Sequence, residues 1–513
     1  MQKRLPRLVI LVAVAAAGVG SFAQERTTTG VVDRSASLRF VWEAAPAAYD
    51  PPFAKNQFQE SAYTFPVYDS LVRLDANGNI VPAIASSWSF SPDKRVVTFK
   101  LRNGIRFTDG SDLTAAEVVK SLNRSKKDPA SLRASQMTAF EAFEAPDRST
   151  VLVRLSAPDE NAIYTLATST GMIVSGKAID GNANLASAPV GSGPYKLVAS
   201  GSQGATYERN DGYFDKSQNQ FAKVEISRIG DVTARINSLL TGQTDAAFLS
   251  AAQWPQIQQM VATGKFKVHK VLGPNSFPLM LNTKIKPLDN PKVRLAMNLA
   301  IDREAISKGI FYDQCTPASQ PLQPGVVGHD DRLKYKRDVA KAKALMQEAG
   351  VAPFTIDVLA NTGEPYASVG VALKAQLQEI GITLNLIPTN NTAMRPQFRS
   401  GAHGGMITGL SSAAPDPVSI IEAALTGPDS PGGVPAEITK AATAARAKAI
   451  GTPDREAAFR QVSKLAFDDP QHLFVCWAPV MIVARKEVMG IEKMGYVNAV
   501  AIPDIRNFAM QAR

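Results

Sequence analysis

Residues 339–387 read VAKAKALMQEAGVAPFTIDVLANTGEPYASVGVALKAQLQEIGITLNLI. Val339, Ala342, Leu345 and Met346 share one face of a helix. Gly350 follows as its stop, because glycine takes the left-handed C′ conformation without steric cost. Phe354 to Leu359 then reads as a strand. Val369, Leu373, Leu377 and Ile380 repeat the helical face, Gly381 ends it, and Ile382 to Ile387 is a second strand. Helix–glycine–strand units in tandem imply α/β layers. Upstream, Val293, Met297 and Ile301 lie at i, i+4 and i+8, and Asp302 is placed to cap a helix from Arg303 to Ile310.

The N-terminal half is richer in strands. Leu38 to Trp42 reads as a strand leading into a loop. Val97, Phe99 and Leu101 alternate with polar residues; Asn103-Gly104 predicts a hairpin returning through Ile105 to Phe107. Thr114-Ala-Ala-Glu117 matches a capping box and predicts a helix through about Leu122. Val151 to Leu155 is a further strand, and Pro189 to Val198 is a Gly-rich turn into another.

The 513 residues are 45% hydrophobic and 20% charged, which excludes a disordered chain. The mean hydropathy of −0.08 and a single long apolar run exclude a polytopic membrane protein. That run, Leu8 to Gly20, follows Lys3, Arg4 and Arg7 and precedes Ser21-Phe-Ala23, so residues 1–23 read as a secretory signal peptide. Its apolar run is too short to cross a core of ~30 Å. Export makes this a periplasmic protein, and cleavage lowers the formal charge from +10 to about +7. No basic cluster points to nucleic acid. Cys315 and Cys476 are the two cysteines; in an oxidising compartment they either pair or stand as two separate buried thiols.

Chemistry is scarce. The sequence has no HExxH, no P-loop, no GxSxG and no complete dinucleotide fingerprint. Ser91-Pro-Asp-Lys94 reads as a turn rather than a Ser-x-x-Lys nucleophile, and Asp75-Ala-Asn-Gly-Asn79 as a hairpin turn rather than a calcium loop. His269, His329, His403 and His472 show no ligand spacing. The expectation is a non-enzyme with no cofactor and no metal; an exported hydrolase or a non-transport solute receptor are the alternatives.

Val67-Tyr-Asp-Ser-Leu-Val-Arg-Leu-Asp75, Gly78-Asn-Ile-Val-Pro82, Thr98-Phe-Lys-Leu-Arg-Asn-Gly104, Phe107-Thr-Asp-Gly110, Gly191-Ser-Gly-Pro-Tyr195, Asn290-Pro-Lys-Val-Arg294 and Ala300-Ile-Asp-Arg-Glu-Ala305 occur in that order. Together they resemble the family 5 extracellular solute-binding proteins of ABC importers, the peptide/nickel/opine-type group, over about residues 38 to 485. The resemblance implies an α/β, two-lobed, periplasmic-binding-protein-like fold with a cleft between the lobes. Lobe I would comprise residues 31–272 and 482–513, with an extra subdomain at roughly 80–190; lobe II would be 273–481. It also implies a monomer that captures a peptide-like, opine-like or other small organic solute and docks on ABC permease subunits at the inner membrane.

The stretch Gly409-Leu-Ser-Ser-Ala-Ala-Pro-Asp-Pro417 departs from the group. Peptide-binding relatives carry a Trp at the position of Leu410 and, at that of Ala413, an Asp that pairs with the peptide ammonium. Losing that carboxylate leaves a buried ammonium unpaired, at a cost of roughly several kcal/mol. Asp416 remains, in the structural Pro-Asp-Pro turn. The cleft candidates are Trp42, Glu43, Ala45, Asn361, Glu364, Tyr366, Arg395, Arg399, Leu410, Ser411, Ala413, Trp477 and Tyr496. Arg395 and Arg399 either take a carboxylate or phosphate or form a solvated helix face. Glu364 and Tyr366 either reach the cleft or sit on a solvated loop. Trp42 and Trp477 either stack on the solute or pack in a core, as expected of Trp88 and Trp254.

Overall fold

Ser37–Trp42 alternates its side chains into the core and becomes a central strand of a seven-stranded sheet. In the computed structural model the described residues are 31–512, without 46–47, 56, 272–275, 411, 413–415 and 495–503. The expected signal peptide at 1–23 lies outside them. The sheet order is Phe266–Val271, Val480–Arg485, Ala246–Ser250, Ser37–Trp42, Lys223–Arg228, Gly204–Arg209, Tyr195–Gly201. Both neighbours of Ser37–Trp42 run parallel to it. Asp245 fixes that register by accepting the Arg39 backbone N–H at 2.9 Å and its guanidinium at 2.7 Å.

A second sheet of six strands has the order Thr316–Pro317, His472–Trp477, Ser276–Leu281, Gly405–Ile407, Phe354–Asn361, Ile382–Thr389. Here Phe354–Asn361 has two parallel neighbours, and the helices Val339–Glu348 and Tyr366–Gln378 pack their apolar faces inward. Gly350 (φ +65°) and Gly381 (φ +83°) stop their helices as the sequence indicates. Asp302 accepts the Ala305 N–H at 2.9 Å, capping Arg303–Phe311.

The chain passes between these sheets twice, after Val271 and after Trp477. The described strand ends at these points are neighbours, since Val271 pairs with Val480 and Ser276 with Trp477. The return falls at Ala478–Pro479, because Val480–Arg485 belongs wholly to the first sheet. Beyond it, the buried Arg506 joins Asp504 and, at 2.8 Å, Asp69, which holds the C-terminal segment against the first sheet's core.

A smaller four-stranded sheet, Ala85–Phe90, Val96–Leu101, Thr150–Leu155 and Phe140–Asp147, packs on the helix Ala115–Lys127 around its own core. Thr114 accepts the Glu117 N–H at 3.4 Å, and the helix runs a turn past the expected Leu122. The Asn103-Gly104 turn forms, with Gly104 at φ +75°, but no hairpin follows. Ile105 and Phe107 plug the small core, and Val96–Leu101 pairs with Ala85–Phe90 and Thr150–Leu155 instead. The Asp75 and Ser91 segments are turns, closed by Asp75 Oδ1 accepting the Asn77 N–H at 2.8 Å and by Lys94 N–H donating to Ser91 O at 2.9 Å.

The question left open for the cysteines has an answer. Cys315 and Cys476 form a disulfide with Cα atoms 5.6 Å apart, which ties the edge strand Thr316–Pro317 to His472–Trp477.

Candidate functional site

Open α/β sheets bind ligands outside the carboxyl ends of their strands, where the strand order reverses. The first sheet has such a point at Ser37–Trp42, between parallel Lys223–Arg228 and Ala246–Ser250. The second has one at Phe354–Asn361, between parallel Ile382–Thr389 and Gly405–Ile407. Glu43 follows the first. The segment leading into Tyr366 follows the second, and Gly409 and Leu410 follow the neighbouring strand. Glu43 and Tyr366 are close enough for their charges to interact. Burial, then the Glu43 carboxylate, pushes the Tyr366 phenol well above its usual range, and Arg395 opposes that shift.

On the second-sheet side, Asn390 accepts the Ala393 N–H at 3.0 Å and caps the helix Asn391–Arg399. Arg395 and Arg399, one turn apart, share a face of that helix. Both pair with Asp429, which is almost fully buried; Arg399 Nε lies 2.6 Å from Oδ1. Arg395 Nη2 also donates to the Gly409 carbonyl at 3.0 Å. Two guanidiniums on one carboxylate leave an excess positive charge. Burial, then the neighbouring Arg399, lowers the Arg395 pKa to about 10. Arg395 is thus tied to Asp429 and the Gly409 carbonyl instead of extending freely into solvent.

Tyr366 explains a glycine. A Cβ at Gly409 would lie 2.8 Å from the Tyr366 hydroxyl, so only glycine lets the ring sit there. The ring also packs 5.3 Å from Phe277. Leu410 is pinned to Ser276 by N–H to O bonds of 2.9 and 3.0 Å in both directions. Asp416 accepts the Val418 and Ser419 N–H groups at 2.9 and 3.1 Å, so it caps the helix Pro417–Ile421.

The other candidates divide. Glu43 and Ala45 are half-buried in the loop after Trp42. Burial pushes the Glu43 carboxyl up, while Arg235 pulls it down. Arg235 was missed in the sequence; it is buried, donates to the Ile229 and Gly230 carbonyls, and leaves Nε without a partner. Asn361 is buried and accepts the Gly363 N–H at 2.9 Å, which makes it a turn-former. Glu364 is exposed, on the solvated loop of the two readings. Trp42 is 0% exposed and edge-on to Phe248 at 4.6 Å, so it packs in the core and offers no free stacking face. Trp477 is also buried, over Phe474, but its Nε1 has no partner, nor has Oγ of the paired Ser276. Ser411, Ala413 and Tyr496 lie outside the described residues. Asp429, also missed, stands 30 residues beyond Arg399 with no local pattern to mark it.

Chemically, the two strand ends present a carboxylate, a phenol, an excess guanidinium charge and two buried donors, a set suited to gripping a polar organic molecule. Among the described residues no group of three or more His, Cys, Asp or Glu is placed to hold a metal. None of their helices is long and apolar enough to cross a membrane.

The chain is 27% identical over 410 residues to di/tripeptide-binding protein 2 of Pseudomonas aeruginosa, covering 72% of this chain and 75% of that one. Its fold matches the periplasmic binding protein DppA of Helicobacter pylori in complex with peptide STSA at a TM-score of 0.82 and 22% identity, covering 93% and 98%. It matches the periplasmic binding protein AgaA of A. tumefaciens R10, in complex with agropinic acid, at 0.82 and 24%, covering 93% and 99%. These are two-lobed periplasmic-binding-protein folds. Residues 79–432 match the bacterial extracellular solute-binding proteins, family 5 (middle), and the chain belongs to that family.

Proposed function

We propose that this protein is the periplasmic receptor of an ABC importer, closing two lobes on a small organic solute and presenting it to the membrane permease. Lobe I comprises residues 31–272 and the chain after the return passage, with the subdomain at roughly 80–190; lobe II is the segment between the passages. The observation that carries this reading is the pair of strand-end switch points, one in each large sheet, with Glu43 beside the first and Tyr366 and Arg395 beside the second. The neighbouring strand ends at Val271–Val480 and Ser276–Trp477, where the chain changes sheets, suit hinge closure. The protein performs no covalent step in this role and acts as a monomer.

The solute differs from an unmodified peptide. Ala413 stands where peptide-binding relatives carry the ammonium-pairing Asp, whereas the excess charge at Arg395 and Arg399 favours a carboxylate or another anion. The similar proteins named above include binders of peptides and of agropinic acid, so an opine-like or modified-peptide solute fits both the site and the family.

A calorimetric screen tests this. Carboxylated solutes without a free α-amino terminus should bind, and unmodified di- to pentapeptides should not. Ala413→Asp should then gain peptide binding. A bound solute at 100 times its dissociation constant raises stability by ~2.7 kcal/mol. Tight binding of unmodified peptides by the natural chain would overturn the solute assignment. A metabolite library that shifts melting nowhere would overturn the receptor reading.

A further inference from the structure

Asp159-Glu160-Asn161 precedes the helix Ala162–Leu166 of the four-stranded-sheet region. The helices Ala436–Arg446 and Pro453–Asp468 share a core with Met280, Leu359, Met406 and Phe474 of the second sheet. Their apolar residues sort into separate cores, Leu155, Ile163 and Leu166 in one and Ile438, Phe459 and Val462 in the other. Polar contacts bring the two together. Asp159 Oδ2 accepts Nε and Nη2 of Arg446 at 3.1 and 2.6 Å. Glu160 Oε2 accepts the Ile450 N–H at 2.9 Å. Asn161 Oδ1 accepts from Arg455 Nη2. Three consecutive residues thus each receive a donor from one helix pair or the turn between its helices.

Each half holds its shape alone. The Asn161 N–H and side-chain amide both donate to Asp159 Oδ1 at 3.0 Å, which turns Oδ2 outward. Lys94 holds Glu160 at 2.8 Å. On the other side, Arg446 keeps Glu422 at 2.8 Å. Arg455 donates to the Lys448 carbonyl at 2.8 Å and lies 5.0 Å over the Phe459 ring. When the halves part, every charged group retains a local partner and its remaining hydrogen bonds pass to water. Pre-organised halves lose little entropy on docking. The complementary charges make that docking sensitive to salt.

The helix Pro417–Ile421, which follows the stretch expected to touch solute, shares a core with the docked helices through Val418, Ile420 and Ile421 beside Ile438 and Phe459. Asp416, which caps the helix after that stretch, is buried, and the Arg455 charge offsets part of the rise that burial causes in its pKa.

We propose that Asp159-Glu160-Asn161 and the Arg446–Ile450–Arg455 donors form a reversible polar clasp, separate from the solute-gripping groups, that populates the closed arrangement in the free receptor. This rests on the two-lobe division proposed above. A larger closed fraction raises apparent solute affinity in proportion.

The test reads an interlobe distance without ligand. Spin labels are placed by Leu132→Cys and Lys440→Cys, both exposed positions; the native cysteines are held in their disulfide. At low salt the natural sequence should show mainly the short distance, and at high salt a growing long component. Asp159→Asn and Arg446→Gln should show the long component at both. If either fails to fold, Glu160→Gln, which only weakens the contact, should show an intermediate mixture. Identical distributions in all these chains at both salts would overturn the clasp. A chain that bound no solute would still show the salt-dependent distance, so the receptor reading and the clasp fail separately.

Discussion

The two halves of the molecule meet in two chemically opposite ways. Near the passages between the sheets, Val41, Leu249, Ile257 and Met481 from one side share a single apolar core with Phe277, Leu279, Met297 and Phe311 from the other. At Asp159–Asn161 the join is polar, between cores that remain distinct. Separating an apolar join exposes surface to water at ~25 cal/mol per Å². Separating a polar join exchanges protein hydrogen bonds for water hydrogen bonds, at a net cost of about 0.5–1.5 kcal/mol each. The first join is suited to permanence and the second to repeated making and breaking.

The largest expected effect falls on the apolar join. Phe311 is fully buried, with its ring 5.0 Å from that of Phe277. Phe311→Ala should lower unfolding stability by about 3–5 kcal/mol in urea titration; a loss below about 1 kcal/mol would end the distinction between the joins. Next comes the staple beside the passages. Cys315→Ser should cost about 2–4 kcal/mol, measured the same way under oxidising conditions.

A smaller effect depends on pH. His472 is buried in the second sheet, and its Nδ1 accepts the Leu281 N–H at 3.0 Å. Burial, aided by the Arg294 charge, lowers its pKa from 6.5 to about 3. Below pH 6.5 the unfolded chain takes up a proton that the folded one refuses, so this contribution is full above pH 6.5 and declines steadily towards pH 3. Going from pH 7 to pH 5 should cost about 2 kcal/mol through this ring. His472→Gln should flatten that part of the profile. The smallest effect on stability belongs to the polar join. Arg446 is more than one-third exposed, so Arg446→Gln should change global stability by less than about 1 kcal/mol even as it shifts the interlobe distance. A larger loss would show that this join, too, supports the fold.

These contrasts mark how far the sequence could be read. The helices of 339–387 were legible because their apolar period and terminal glycines are local, and the family resemblance supplied the lobed frame. The Asn103-Gly104 hairpin was misjudged because its turn is local but its pairing is not: Ile105 and Phe107 serve the small core instead. Arg395, Arg399 and Tyr366 were nameable as candidates by residue type, because guanidinium and phenol groups near a strand end suit a polar solute. Asp429 and Arg235 were not, because their partners come together only after folding. Trp42 shows the opposite failure, an aromatic well suited to stacking that the core takes up entirely. Asp159 and Arg446 stand 287 residues apart, and no periodicity links them.

The disulfide also sets an order of events. Its cysteines are 161 residues apart, so the covalent lock cannot close until the chain has been made past residue 476. The strand it secures, His472–Trp477, lies between Ser276–Leu281 and the edge strand Thr316–Pro317, both synthesised far earlier. Until it arrives, the earlier strands of this sheet have a gap in their ladder that only the last quarter of the chain can fill. Completion of this sheet is thereby deferred until the C-terminal part of the chain is available, when a single late strand brings both its hydrogen bonds and its cross-link to a partly built sheet.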